Sequence, residues 1–196
     1  MKSAIKWIVA ILCVLAVIVL WGMGVYNDLV AGQEDVESAW AQVENQYQRR
    51  ADLVPNLVAT VKGYAKHEQE TLDQVVEARA KATQITIDPT SATPEQLAAY
   101  QSAQGELTQA LGRLLAIAEN YPDLKANQNF LDLQQQLEGT ENRIAIARQM
   151  FNDSSRAYNT SLRKFPSNII ARMFGFEKKA YFEAEPGAKT APKVEF

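Results

Sequence analysis

From Val36 to Tyr64 the stripe positions recur in alternating steps of three and four: Val36, Trp40, Val43, Tyr47, Arg50, Val54, Leu57, Val61 and Tyr64. That spacing lays them on one face of a helix that packs nearly antiparallel to its neighbours. The stripe extends back in phase through Leu29 and Val25, so the helix can run unbroken out of the preceding segment. That segment, Trp7 to Tyr26, is almost wholly apolar and carries no charge. Its aromatic ends lie 19 residues apart, about 28 Å at ~1.5 Å per residue. This approaches the ~30 Å hydrocarbon core of a bilayer. A transmembrane helix over about residues 5–26 is expected, with Lys6, Trp7 and Tyr26 as its interface anchors. A cleaved signal peptide would have a shorter apolar run ending at a small-x-small site, which Val25-Tyr26-Asn27 does not offer. Cys13 follows Leu12 rather than the small residue lipidation requires, and reads as a small apolar residue in mid-span.

Periodicity predicts further helices. Gly63 to Glu68 interrupts the first stripe. It is read as a turn before a helix from about Glu68 to Ile85 that buries Leu72, Val75, Val76 and the stem of Arg79; continuous helix is the alternative. Asp88-Pro89 marks a loop over Thr86 to Thr93. Thr93, Pro94 and Gln96 then spell a capped helix start. The third helix carries Leu97, Tyr100, Leu107, Leu111, Leu114, Ala118 and Tyr121, with Gln104 as a polar exception. Pro122 stops it, and a fourth helix restarts at Asp123. Its stripe is Phe130, Leu133, Leu137, Thr140, Ile144, Ala147, Phe151, Ser154, Tyr158, Ser161 and Phe165, ending at Pro166. A short helical segment over Asn168 to Phe174 follows.

The expected fold is all-α: an N-terminal transmembrane helix, then an antiparallel up-and-down bundle of about four helices with coiled-coil-like spacing. The division is residues 1–27 for the anchor, 28–176 for the bundle and 177–196 for a flexible tail.

Charge sets the orientation and narrows the partners. Lys2 and Lys6 precede the span, and the next basic residue is Arg49. The positive-inside rule keeps the N-terminus in the cytoplasm and places the head in the periplasm. Two of the 20 basic residues precede the span, so the head sets 18 against 23 acidic ones, a net charge near −5. That balance argues against a nucleic-acid partner.

Little points to catalysis. His67-Glu68 begins like a zinc-protease motif, but Thr71 stands where the second histidine belongs. His67 is the single histidine, no glycine-rich phosphate loop occurs, and no nucleophile has a base in motif spacing. No catalytic, cofactor-binding or metal-ligating residue is assigned, and no enzymatic activity is expected. Two residues stand out as setting bundle register. Pro55 lies inside the first stripe and predicts a kink. Arg50 sits on a core-facing position; it either snorkels to the bundle edge or makes a buried polar contact with Asp52 or another helix.

One segment departs from the acidic character of the head. Arg163, Lys164, Arg172, Lys178 and Lys179 alternate with Phe165, Ile169, Ile170 and Phe174. In an up-and-down bundle of four helices the fourth returns to the membrane. This segment would then lie in the headgroup region, as a lipid or partner surface. With continuous helix through Gly63–Glu68 it would point away from the membrane.

These motifs resemble the LemA family. The resemblance is carried by the span followed by Glu44-Asn-Gln-Tyr-Gln-Arg-Arg-Ala-Asp-Leu-Val-Pro-Asn-Leu-Val-Ala-Thr-Val-Lys-Gly-Tyr-Ala-Lys-His67. It is carried also by Tyr121-Pro-Asp-Leu-Lys-Ala-Asn-Gln-Asn-Phe-Leu, and by Phe151-Asn-Asp with Phe165-Pro-Ser-Asn-Ile-Ile-Ala. It implies a bacterial single-pass membrane protein with a helical-bundle head and no established enzymatic activity, and the localisation expected is the bacterial inner membrane. Through a relative associated with magnetosome membranes it adds a hint of membrane organisation. It also implies an N-terminus outside, opposite to the charge reading. The function expected is therefore a membrane-anchored structural or scaffolding protein that self-associates or organises membrane. The alternative is an adaptor for another membrane protein such as a protease or sensor. The expected partners are membrane lipid, further copies of the chain and a membrane-protein partner.

Overall fold

The computed structural model describes residues 2–183, apart from the side chain of Ala4. The apolar segment and the first stripe form one helix, α1 (Lys2–Tyr64), of 63 residues, about 95 Å long. It continues through Pro55, whose ring faces solvent. Residues 5–20 of α1 are exposed, and burial begins in earnest at Leu29. Among the described residues, this is the one helix long and apolar enough to cross a membrane.

The Gly63–Glu68 segment is a turn, as read. The helix that follows is α2 (Gln69–Gln84). It buries Leu72, Val75, Ala78 and Ala82, whereas Val76 faces solvent. Leu72, Val75 and the half-buried Arg79 lie where expected; Ala78 and Ala82 complete the inner face in place of Val76.

The loop from 85 to 93 is held by Asp88. Its carboxylate accepts hydrogen bonds from the Thr90 amide (2.8 Å), the Thr90 hydroxyl (2.7 Å) and the Ser91 hydroxyl (2.9 Å). These bonds hold the Asp88 carboxyl below its ordinary pKa. Helix α3 (Pro94–Ala118) then starts with the expected capping box. Thr93 Oγ1 accepts from the Gln96 amide and Gln96 Oε1 accepts from the Thr93 amide.

The restart at Asp123 is only a single turn, α4 (Pro122–Lys125). The long helix, α5 (Gln128–Arg163), begins five residues later, capped by the Asn127 side chain on the Phe130 amide. A last helix, α6 (Ser167–Phe174), ends at Gly175, whose φ of 75° only glycine adopts freely.

Along α5 the strict three-four register fails toward its end. Phe130 through Phe151 are buried or half-buried as expected and Tyr158 is buried too, but Ser154 and Ser161 are only half-buried while Ser155, Asn159 and Leu162, outside the stripe, are buried. A straight helix has 3.6 residues per turn, so a 3.5-residue stripe drifts off the inner face over several turns. Phe165 lies beyond the helix and is 80% exposed.

The bundle runs up, down, up, down. α1 packs along α5, α2 along α3, and α1 on α2. Two apolar clusters stack along its length. The distal one holds Val54, Leu57, Val61, Leu72, Leu107, Leu111, Leu114 and Leu137. The membrane-proximal one holds Leu29, Val36, Trp40, Tyr47, Tyr100, Ile144, Phe151 and Tyr158.

A polar layer separates them. Arg50 is 1% exposed. One guanidinium nitrogen donates to Thr108 Oγ1 (2.6 Å) and Glu141 Oε1 (2.8 Å), and the other to the side chain (2.6 Å) and carbonyl (3.1 Å) of Gln104. Gln104 donates in turn to the Ala82 carbonyl, and Arg79 donates to the Ala51 carbonyl. All four long helices are thus tied at one level. Arg50 does not snorkel, and Asp52 is not its partner; Asp52 accepts from Gln48 instead.

Tyr100 and Tyr47 flank this layer, their rings 5.5 Å apart. Burial pushes the Tyr100 phenol well above its ordinary value near 10. A raised folded-state pKa gives stability that is complete below pH 10 and is lost as pH climbs above it. Tyrosinate absorbance is therefore expected to show a fraction that appears only together with loss of helical circular dichroism. Complete, smooth titration around pH 10 in the folded protein would contradict the burial argument.

Candidate lipid-facing site

The return of α5 brings α6 back to the span. Residues 164–166 form the elbow, and α6 then lies against α1. Ile170, 8% exposed, packs on Gly22, close enough that a Cβ on Gly22 would meet the Ile170 Cδ1 at 3.6 Å. The Tyr26 ring meets Phe174 (4.9 Å between centroids) and Phe176 (5.5 Å), both edge to face. Gly22 precedes Tyr26 by one helical turn. The contact therefore reaches about 6 Å below the Tyr26 anchor toward the apolar core of the span. Amphipathic helices at a membrane surface sit at that depth, ~5–10 Å into the headgroup boundary.

The opposite face of this end carries Phe165, Ile169 and Met173, all exposed, with Arg163, Lys164 and Arg172 exposed among them, and Phe174 is partly exposed beside Tyr26. Of the nine residues assigned to a lipid or partner surface, seven are solvent-facing, Lys178 included. Two are not. Ile170 is the contact with α1. Lys179 is 6% exposed: its Nζ donates to the Thr90 carbonyl (2.6 Å) and lies 5.5 Å from the centre of the Tyr158 ring. Desolvation lowers the pKa of this lysine.

Lys179 belongs to a segment expected to begin a flexible tail. Residues 176–183 instead form an extended strap across α1 and α5. Phe182 is buried, stacked on Trp40 (5.8 Å between centroids, 12° between planes) and edge-on to Phe151 (5.5 Å). The strap fills space beside the membrane-proximal half of α1 and α5 and bonds to the loop before α3. Residues 184–196 of the expected tail lie outside the described residues.

The sequence reading missed the two side chains that hold the strap, Asn152 and Asn159. The Asn152 amide donates to the Phe182 carbonyl (3.0 Å) and accepts from the Phe182 amide (2.9 Å). Asn159 does the same for Lys179, at 2.8 Å each way. The available signal was a pair of asparagines seven residues apart in a long helix, which the apolar stripe overshadowed.

A surface groove of about 820 Å³ runs between α1 and α5 past Asp28, Gly32, Asp35, Met150 and Asp153. Among the described residues no three His, Cys, Asp or Glu side chains cluster as metal ligands. His67 lies exposed in the turn after α1, far along the chain from this groove.

A model of the LemA family matches residues 39–196. The chain belongs to the LemA family. It is 29% identical to the magnetosome protein MamQ of Magnetospirillum gryphiswaldense, over 84% of this chain and 67% of that protein. It is 25% identical to protein LemA of Metamycoplasma hominis, over 83% of this chain and 70% of that one. Neither name is that of an enzyme. The family match and the exposed apolar helix identify this LemA-family chain as a membrane protein.

Proposed function

We propose that this LemA-family chain is a non-enzymatic, membrane-anchored structural protein whose head is fixed upright on the bilayer by two elements, the span and α6. The observation that carries this reading is the packing of α6 on Gly22 and Tyr26, which holds an apolar and basic face beside the residue we take as the interface anchor. Burial of Phe165, Ile169 and Met173 among lipid, with attraction of Arg163, Lys164 and Arg172 to anionic headgroups, supplies the second attachment. A head so fixed presents its long bundle at a set angle and organises membrane or further copies of itself. The likeness to proteins named for the magnetosome supports a role in organising membrane. The N-terminal lysines support a cytoplasmic N-terminus and a periplasmic head.

The test uses full-length protein with Cys13→Ser and a single cysteine introduced as Met173→Cys, carrying an environment-sensitive fluorophore. Reconstitution into bilayers containing anionic lipid is expected to blue-shift its emission relative to the same label at Lys66→Cys, exposed at the far end of the bundle. Quenching by lipids brominated near the headgroup is expected to be strong. Emission at residue 173 as water-exposed as at residue 66 would end this reading.

A further inference from the structure

The strap is held in a manner that ignores its covalent link to the rest of the chain. Asn152 and Asn159 each present a carboxamide to the backbone N–H and C=O of one strap residue. Two asparagines seven apart on a helix stand about 10.5 Å apart. Phe182 and Lys179 are three residues apart on an extended chain, about 10 Å. The helix repeat and the strand repeat therefore match, and α5 reads an extended backbone at two points. Side-chain pockets then fix the register. Phe182 enters the slot between Trp40 and Phe151 with the Arg148 guanidinium over its ring at 4.9 Å, and Lys179 reaches the Thr90 carbonyl. The Asn159 amide also donates to the Tyr181 hydroxyl (2.8 Å). The far end is pinned where Gln101 and Arg148 both donate to the Glu183 carbonyl. The groove thus holds a basic residue and, three positions later, an aromatic one.

We propose that this groove also works between copies: it receives the 179–182 segment of a second chain, so that neighbouring copies exchange straps. The second copy is the occupant because it carries the one sequence the groove demonstrably fits. Spans lying in the same bilayer also set groove and strap at the same height, leaving only a lateral step. The joint between α6 and the strap is Gly175, at φ 75°, and glycine turns there without a Cβ penalty. Residues 175–178 reach at most about 14 Å, so exchange requires copies in side-by-side contact. Exchanging an identical element keeps every contact and alters only the joint, which makes it a low-cost route to association. The inference rests on the self-association half of the proposed function. It does not involve lipid docking of α6, so either can fail without the other.

The test separates the two halves of the contact onto different copies. Full-length Cys13→Ser protein with Glu183→Cys carries one tag; full-length Cys13→Ser protein with Gln101→Cys carries another. Both are co-reconstituted in one membrane and treated with a short bis-maleimide. A band containing both tags is expected. It should drop at least fivefold when Asn152→Ala and Asn159→Ala are placed on the Gln101→Cys copy, or when Phe182→Ala is placed on the Glu183→Cys copy. Both cysteines on one chain should cross-link within that chain, which reports a seated strap. The proposal is overturned if the single-chain pair cross-links while no mixed band forms. It is overturned equally if the mixed band ignores the asparagine and Phe182 changes, since the contact is then collision. If the single-chain pair fails to cross-link, the strap is not seated and the proposal falls with it.

Discussion

Arg50→Ala is expected to lower unfolding stability by about 3–5 kcal/mol, the range for breaking a buried charge contact by removing one partner. The size follows from what stays behind. The Gln104 side-chain oxygen and the Thr108 hydroxyl lose their donor, and Glu141, at 35% side-chain exposure, loses its counter-charge. Each buried polar group without a partner costs ~1–3 kcal/mol. The same layer replaced as a unit behaves differently. Arg50→Met with Gln104→Leu and Glu141→Leu is expected to regain most of the loss, because the apolar clusters above and below then merge into one. Chemical denaturation followed by circular dichroism measures both. A single Arg50→Ala change costing under ~1 kcal/mol would mean that the layer does not hold the helices.

That contrast bears on why a charged side chain sits here. Two apolar clusters in one three-four register leave neighbouring helices free to slip by a turn at modest cost. A guanidinium that finds its partners only when α1, α3 and α5 are level makes every slipped register leave a charge unpaired. We hypothesise that the apolar triple variant is stable but less uniquely packed, with broader amide dispersion by NMR in its distal half lost relative to the parent. Unchanged dispersion in that variant would remove the register role while leaving the stability argument intact.

Much of this was legible because local rules and packing agreed. The first stripe put eight of nine positions in the core, failing only at Tyr64, where the helix ends and Ala65 takes over. Thr93, Pro94 and Gln96 marked a helix start to the residue, because capping is decided by neighbours within one turn. What periodicity could not show were contacts between distant segments. Arg50 declared itself as out of place, yet its partners lie 54 to 91 residues away. The strap has no helical period, lies next to a proline- and glycine-bearing tail and owes its order to Asn152, Asn159 and Trp40. Composition therefore assigned it to the tail. The same blindness placed Lys179 among the surface cations. Its neighbours in sequence are exposed, and only the fold brings Thr90 and Tyr158 around it.

The burial of Lys179 decides which charges to reverse when testing membrane attachment. Arg163→Glu, Lys164→Glu and Arg172→Glu together alter exposed positions on or beside α6 and leave Ile170, Tyr26 and the strap in place. Each basic residue near an anionic surface is worth about 1 kcal/mol. Losing three therefore weakens docking by about 3 kcal/mol, on the order of a hundredfold, before the repulsion of the new carboxylates is counted. With the fluorophore at Met173→Cys, the triple variant is expected to show water-exposed emission in anionic bilayers, while thermal unfolding moves little. Lys179→Glu should do the reverse. A carboxylate beside the Thr90 carbonyl and over the Tyr158 ring has no donor to meet, so the strap loosens and stability falls by ~1–3 kcal/mol. Residue 173 stays docked in that variant, because Arg163, Lys164 and Arg172 are intact. Equal loss of docking in both variants would show that attachment follows general unfolding rather than the exposed charges, and the lipid-facing assignment of α6 would fail.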